Sequence, residues 1–397
     1  MSGRPTEPSF AAHPSFAAHP SFAAHPSFAA RIIRWQREHG RHDLPWQNTR
    51  DPYRIWLSEI MLQQTQVSAV IPYYLKFLQR FQSVSELAAA PEEAVMQHWA
   101  GLGYYSRARN LHRAAQQVMQ QYGGAFPGER DLLAQLPGVG RSTAAAIAAL
   151  AFGKREAILD GNVKRVLARH AAIEGHYSQR AVEVQLWALA EARLPAADRG
   201  GGSGGTSGST SASNSGIEAY TQGLMDLGSM LCTRGKPACA SCPVSGDCLA
   251  LAQGRQSSLP TPRPKKLLPQ RETVMLLLQH QGEWLLEKRP PSGIWGGLWC
   301  FPELASGDWA HEPAAAPAER VQAHCRQQLG CVATELQLLE PLQHGFTHFG
   351  LRIHPVVCRI AQRTPQLAQP GQLWLTLPDA QGAAIPAPVK KLLQRLA

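Results

Sequence analysis

LPGVGRSTAAA, residues 136–146, sets two glycines, an arginine and a hydroxyl directly ahead of an alanine run. Gly138 and Gly140 permit a tight turn through positive φ, a region that strains any residue with a Cβ. The stretch from Ser142 to Phe152 is a strong helix former, and Gly153 is its natural stop. A glycine turn that opens a helix presents free N–H groups and the positive end of the helix dipole, which together attract an anion. Taken alone, the stretch serves equally as a packing corner between two helices. It lacks the G-x-x-x-x-G-K-[ST] of a nucleotide-binding loop and follows no strand, so a mononucleotide is disfavoured. A single phosphate of a nucleic-acid backbone fits better, with Arg141 beside it.

Composition agrees with that partner. The chain of 397 residues carries a formal charge of +10 and has 44% hydrophobic and 17% charged residues. It is long enough for two or three domains with real cores, and an excess of basic charge favours polyanions. No apolar run reaches the ~18 residues of a membrane span, and the N-terminus lacks a secretory pattern. Four of the eight cysteines fall within 232–248, which reads as a metal site in a reducing compartment rather than a disulfide scaffold.

The chain divides by composition. Residues 8–30 repeat PSFAAH, with His13, His19 and His25; a proline in every repeat excludes a long helix, so residues 1–30 are expected to be a disordered tail. Residues 31–252 have helical periodicity, as in Leu111, Ala114, Ala115 and Val118. Gly/Ser linker composition interrupts them at 200–216 and would span roughly 23 Å as a random coil. The stretch 253–271 is a basic, proline-rich linker. From 272 to 397 the period changes: ETVMLLLQH and EWLLEKR flank Gln281-Gly282, a hairpin signal, LRIHPVVCRI is a strand whose Pro355 suggests an edge or a bulge, and PVKKLLQRLA is a closing helix. The C-terminal region is therefore expected to be a separate α+β domain.

Cys232, Cys239, Cys242 and Cys248 stand at spacings x6, x2 and x5. Four thiolates this close suit zinc or an iron–sulfur cluster, and the loop they fix carries Arg234 and Lys236. With LPWQ, LSEIMLQQTQV, GLGYYSRARNL, LPGVGRSTA and ILDGNVKRVLAR, this cysteine pattern resembles the helix–hairpin–helix DNA glycosylases of the endonuclease III superfamily, and within them the MutY-type adenine DNA glycosylases. The likeness covers 31–250 closely and continues through RPPSGIWGGLWCFPE and FTHF. It implies a six-helix barrel over about 47–155 and a [4Fe-4S] lobe built from 31–46 and 156–252. It also implies a Nudix-like domain at 272–397 that reads 8-oxoguanine. The implied substrate is double-stranded DNA with adenine opposite 8-oxoguanine or guanine, handled by a monomer in the bacterial cytoplasm, on the nucleoid. The hexamer tail and the Gly/Ser insertion depart from the family pattern.

Cleaving an N-glycosidic bond requires protonation of a poor leaving group and support for an oxocarbenium-like sugar. Glu59 sits among Ile55, Trp56, Leu62 and Gln63 at helical spacing, an apolar setting that raises a carboxyl pKa and suits a proton donor. A helical Glu is commonly a solvated charge; the family resemblance assigns Glu59 to protonating adenine. Asp160 reads locally as a helix N-cap, and the resemblance makes it the stabiliser of the sugar cation, with Asn162 beside it. Lyase-competent relatives carry a lysine where this chain has Ser142. A hydroxyl cannot form an imine, so Ser142 implies a monofunctional enzyme that uses water. Gln64 and Tyr104 match wedge residues for base flipping, Gln222 matches a reader of adenine's edge, and Phe346, Thr347 and His348 match the 8-oxoguanine loop, with threonine where serine is usual.

Three other readings are weighed. A Nudix hydrolase needs a Glu pair for magnesium, but the aligned positions are Ala315 and Ala316, or Gln327 and Gln328. A non-catalytic DNA-binding protein has no need of both Glu59 and Asp160. A thymine-specific mismatch glycosylase of the same superfamily has no use for an 8-oxoguanine reader.

Overall fold

The computed structural model describes residues 26–197, 216–263, 268–305, 315–363 and 371–397. Most of the hexamer tail, including His13, His19 and His25, and the Gly/Ser insertion up to residue 215 lie outside the described residues. No helix among the described residues is long and apolar enough to cross a membrane.

The first lobe is helical: α2 (Pro52–Leu62), α3 (Val67–Arg80), α4 (Val84–Ala89), α5 (Glu92–Trp99), α6 (Ser106–Tyr122), the single turn α7 (Arg130–Leu133) and α8 (Arg141–Phe152). Trp56, Tyr74, Phe77, Phe81 and Trp99 fill its core. A second lobe combines α1 (Phe28–His39) with α9 (Gly161–His170), α10 (Arg180–Ala192), α11 (Ile217–Asp226), a π turn at Leu227–Leu231 and α12 (Leu249–Ala252). Helix α1 begins inside the last hexamer repeat, earlier than the expected tail boundary at residue 30. The Ser27 side chain caps it by accepting from Ala30 N, and Phe28 and Ala29 are buried. A serine cap with an apolar first turn outweighs the repeat's composition.

Helix α8 joins the lobes. Ala144, Ile147, Ala148 and Ala151 belong to the first core, while Ala145, Ala146 and Ala149 belong to the second. A helix buried on both sides must be slim, and alanine meets that need without losing helix propensity. Its stop is Gly153 at φ +66°. The glycine hairpin is thereby held where the two lobes meet.

The remaining residues form one sheet with helices. Its strands are β1 (Gln270–His280), β2 (Glu283–Lys288), β3 (Trp299–Cys300), β4 (Glu303–Ala305), β5 (Cys331–Leu338), β6 (Leu342–Gly345), β7 (Gly350–Arg363) and β8 (Gln372–Thr376). Its helices are α13 (Ala315–Gln328), α14 (Leu377–Gly382) and α15 (Ala387–Arg395). The main order is β3-β2-β1-β7-β5, with β4 on β1, β6 on β7 and β8 on β2. Strand β1 is buried on both faces: Val274, Leu276 and Leu278 face the α13 side, and Met275 and Leu277 the other. The β1–β2 turn is the expected hairpin, with Gln281 at φ +50° and Gly282 at +85°.

Pro355 is in neither an edge strand nor a bulge of the β1–β7 register, which runs without a shift from Gln270↔Gly350 to Gln279↔Arg359. Its carbonyl accepts from Leu339 N at 2.9 Å. Its missing N–H therefore points to the same side, where the chain crosses from β5 to β6 and no ladder bond is lost. The α+β domain is also less separate than its composition implies. One face of the sheet shares a continuous apolar core with the first lobe. Arg109 donates to Gly296 O at 2.5 Å, Gln97 to Gly382 O at 2.9 Å and Trp299 Nε1 to Glu93 at 2.5 Å, and Lys288 pairs with Glu93.

Candidate active site

Helix α2 is begun by Asp51, whose carboxylate accepts from Tyr53 N at 2.9 Å, with Pro52 following in the first turn. It buries Ile55, Trp56, Leu57, Ile60 and Met61, which leaves Glu59 at the wall of the cleft between the lobes. Among the described residues nothing donates a hydrogen bond to the Glu59 carboxyl and no cation pairs with it. Burial pushes that carboxyl up to about 8, and the negative charge of Asp160 adds to the effect. It thus keeps its proton at neutral pH, as a proton donor must.

Asp160 caps α9, accepting from Val163 N at 2.8 Å, and Asn162 Nδ2 reaches its other oxygen at 3.4 Å. Burial raises this carboxyl too, but the Val163 N–H and the Arg165 guanidinium favour its charged form. The two acids are therefore unequal: Glu59 lacks charge partners of opposite sign, whereas Asp160 has donors and a cation. Ser142, on the first turn of α8, accepts from Leu159 N at 2.9 Å. Its hydroxyl fastens the segment that delivers Asp160, a role the sequence alone did not show.

The hairpin is half as expected. Gly138 has φ +80°, and a Cβ there would meet Asn110 Cβ at 2.9 Å. Gly140 corrects the sequence expectation: its φ is −87°, which any residue adopts, because it already occupies the extended N-cap position of α8. A Cβ at Gly140 would meet nothing within 4 Å, so its absence keeps that approach open. No side chain caps α8, which leaves its first N–H groups free for an anion. Arg141 is turned away from this role. It pairs with Glu191 at 2.5 Å and stacks on Trp187 at 3.8 Å, drawn by a carboxylate and an aromatic face on α10.

Two cavities open along the cleft. The smaller, of about 180 Å³, is lined by Glu59, Ser142, Asp160, Asn162 and Gln222. The larger, of about 390 Å³, lies on the α1 side. Arg41, Trp46, Glu59 and Gln222 line both. Arg41 was not singled out from the sequence.

Gln64 and Tyr104 both stand at positive φ, +58° and +51°. Both are exposed, Tyr104 by 46%. Such conformations persist only where neighbours impose them. The agent is Arg107, a second residue missed in sequence. Its buried guanidinium donates to the carbonyls of Ile60, Met61, Gln63 and Gly103 and to Thr65 Oγ1, and lies 5.3 Å from the Tyr104 ring. Across the domain boundary, Tyr104 and Thr347 hydroxyls are 3.3 Å apart. A cavity of about 550 Å³ opens there between the first lobe and the sheet domain, bounded by Tyr104, Trp295, Phe346 and Thr347. Phe346 stacks on Phe349 at 4.4 Å, and His348 is exposed.

The four clustered cysteines form no disulfides and line one small pocket of about 30 Å³ with Val166, Leu227 and Leu251. Arg169 donates to Cys232 Sγ at 3.4 Å and to Thr233 O at 2.6 Å. Among the described residues no group of three His, Cys, Asp or Glu is placed to hold a metal ion, although the four cysteines share that pocket.

Two families match the chain. Residues 57–192 match the HhH-GPD superfamily of base excision DNA repair proteins, and residues 273–395 match the NUDIX domain. An adenine DNA glycosylase of Buchnera aphidicola (subsp. Acyrthosiphon pisum) is 32% identical over 91% of this chain and 95% of its own length. The human adenine DNA glycosylase is 33% identical over 91% of this chain and 72% of its own. Among solved structures, a thermostable thymine-DNA glycosylase is similar over 57% of this chain and 95% of its own, with 31% identity and a TM-score of 0.48.

Proposed function

This chain belongs to the adenine DNA glycosylase family of base-excision repair enzymes, and we propose that it releases adenine mispaired with 8-oxoguanine, or with guanine, by hydrolysis alone. The observation that carries the reading is the unequal carboxyl pair at one cleft. Glu59, raised to about 8, holds the proton that adenine must accept to leave. Asp160, held by Val163 N–H and faced by Arg165, supports positive charge on the sugar as the C1′–N bond breaks. Water then adds to C1′, with Glu59, now deprotonated, taking its proton. The products are adenine and an abasic site.

Ser142 offers no amine for an imine, which supports a strand left unbroken. Asn162 steadies Asp160. The free N–H groups following Gly138 and Gly140 would hold one phosphate beside the flipped base, and the left-handed Gln64 and Tyr104 would occupy the gap it leaves. Gln222 reads the adenine edge. Phe346 and Thr347 lie across the second cavity from Tyr104, and with the neighbouring His348 they would read an 8-oxoguanine partner. The sheet domain acts as a reader, since the residues in place of a magnesium-binding Glu pair are Ala315 and Ala316, or Gln327 and Gln328.

Cys232, Cys239, Cys242 and Cys248 would hold a [4Fe-4S] cluster; four free cysteines lining one pocket suit that donor set in kind. Such a cluster would fasten the exposed Arg234 and Lys236 loop against phosphates. The proposed enzyme acts as a monomer, in the compartment that holds the chromosome.

The test is a single-turnover assay on duplexes with adenine opposite 8-oxoguanine, split with and without hot alkali, beside a G·T duplex. Strand scission only after alkali is expected. Scission without alkali would refute the role of Ser142. Processing of G·T alone would move the chain to thymine specificity.

A further inference from the structure

Asp226 ends α11 and has no exposed surface. A carboxylate buried so deeply persists only where donors satisfy it. One oxygen accepts the Arg41 backbone N–H at 2.9 Å. The other accepts Arg41 Nε at 2.7 Å and Arg41 Nη2 at 2.5 Å. That same oxygen accepts Nε2–H of Gln222, one helical turn earlier, at 2.9 Å.

A carboxylate in an ion pair has no proton to give. Only one of the two amide orientations of Gln222 is then compatible with it: Nε2 toward Asp226, leaving Oε1 as the free acceptor. Gln222 and Arg41 both line the two cavities that meet at Glu59. An acceptor in that position suits a purine with a 6-amino group and opposes one with a 6-oxo group, where two acceptors would face each other.

We propose that Asp226 is the positioning residue that sets the cleft's preference for a 6-amino purine, by locking the Gln222 amide and pinning Arg41 beside it. The proposal rests on the reading of this cleft as the adenine pocket. Asp226 touches no substrate and acts through Gln222.

The test compares single-turnover rates of the full chain on duplexes with deoxyadenosine or deoxyinosine opposite 8-oxoguanine. Only the change in the adenine-to-hypoxanthine rate ratio is read, since the two bases differ as leaving groups. Asp226→Asn introduces an N–H2 that lets the Gln222 amide turn over. It should lower the ratio about tenfold, mostly through the adenine arm. Gln222→Met should lower it equally, and the double variant no further. Asp226→Glu keeps an acceptor-only group and should hold the ratio within about twofold, even where both rates fall.

An equal loss on both substrates in Asp226→Asn marks a merely structural role and overturns the proposal. So does an unchanged ratio in Gln222→Met or a collapsed ratio in Asp226→Glu. Those last two variants decide the matter if Asp226→Asn does not fold. A wild-type protein that releases no adenine would instead overturn the function proposed for the cleft, before any variant is compared.

Discussion

The cleft between the two helical lobes and the cavity between the first lobe and the sheet domain differ in what lines them. The cleft carries Glu59, Asp160, Arg41 and Gln222, polar groups held in a tight setting with shifted acids. The cavity carries Tyr104, Trp295, Phe346 and Thr347, which are ring faces and two hydroxyls, with Tyr104 and Thr347 exposed. Low dielectric magnifies charge, so the cleft suits bond cleavage. Exposed rings stack on a base at little cost in organisation, so the cavity suits recognition. Damage to the cleft should therefore remove rate on every adenine substrate, and damage to the cavity should change only the preference among opposite bases.

The largest effect expected is that of Glu59→Gln, which keeps shape and removes the transferable proton. Its single-turnover rate should fall roughly 10³-fold, equally opposite 8-oxoguanine and guanine. An effect confined to one opposite base would break the division between the two regions. Asp160→Asn comes next, with a loss of roughly 10²-fold on both substrates. Asparagine caps a helix as well as aspartate does, so thermal stability should stay within about 0.5 kcal/mol. Fast hydrolysis by a stable Asp160→Asn protein would reduce Asp160 to its capping role.

The third effect is one of pH. The proposed role requires Glu59 to be protonated, and burial raises it from 4.5 to about 8. The rate of the chemical step should hold through neutrality and fall as pH rises through about 8; a profile that instead falls below pH 6 would give Glu59 the opposite role. Stability follows the same sign. The folded state binds the extra proton between 4.5 and about 8, so this group's contribution is fully present below the lower value and is lost as pH rises through that window. Glu59→Gln should remove that slope and raise Tm at pH 8 by roughly 2–5 °C. Calorimetry across pH 5–9 checks it.

Much of this was legible in sequence because it is local. The hairpin glycine at 138, the Asp160 cap, the Gln281-Gly282 turn and the cysteine spacing each rest on a few adjacent residues. The apolar neighbours of Glu59 forecast its raised pKa for the same reason: they share its helix. Arg41, Arg107 and Asp226 were not legible, because each works across distance. Asp226 is 185 residues from the arginine it pins, and nothing local separates it from the other acidic residues. Arg107 looks like the solvated face of an amphipathic helix, yet it closes the C-terminal end of α2 and holds two left-handed segments. Pro355 misled because a proline's fitness in a strand depends on what lies on its N–H side, and pattern alone does not give that.

The smallest effect belongs to the contact across the second cavity. The Tyr104 and Thr347 hydroxyls lie 3.3 Å apart on exposed side chains, so their bond contributes about 0.5 kcal/mol at most. Tyr104→Phe removes the hydroxyl and keeps the ring. It should leave the rate opposite guanine unchanged and lower the preference for 8-oxoguanine two- to threefold. Thr347→Ala should do the same, and the double variant should add little, because one contact is lost in each case. Thr347→Ser keeps the hydroxyl and sheds the methyl; a rise in preference would show that the methyl crowds the damaged base. A loss of more than tenfold from Tyr104→Phe, or any loss shared equally by both opposite bases, would mean that this hydroxyl belongs with the chemistry of the cleft, and the separation of cleavage from reading would fail at the residue where the two regions meet.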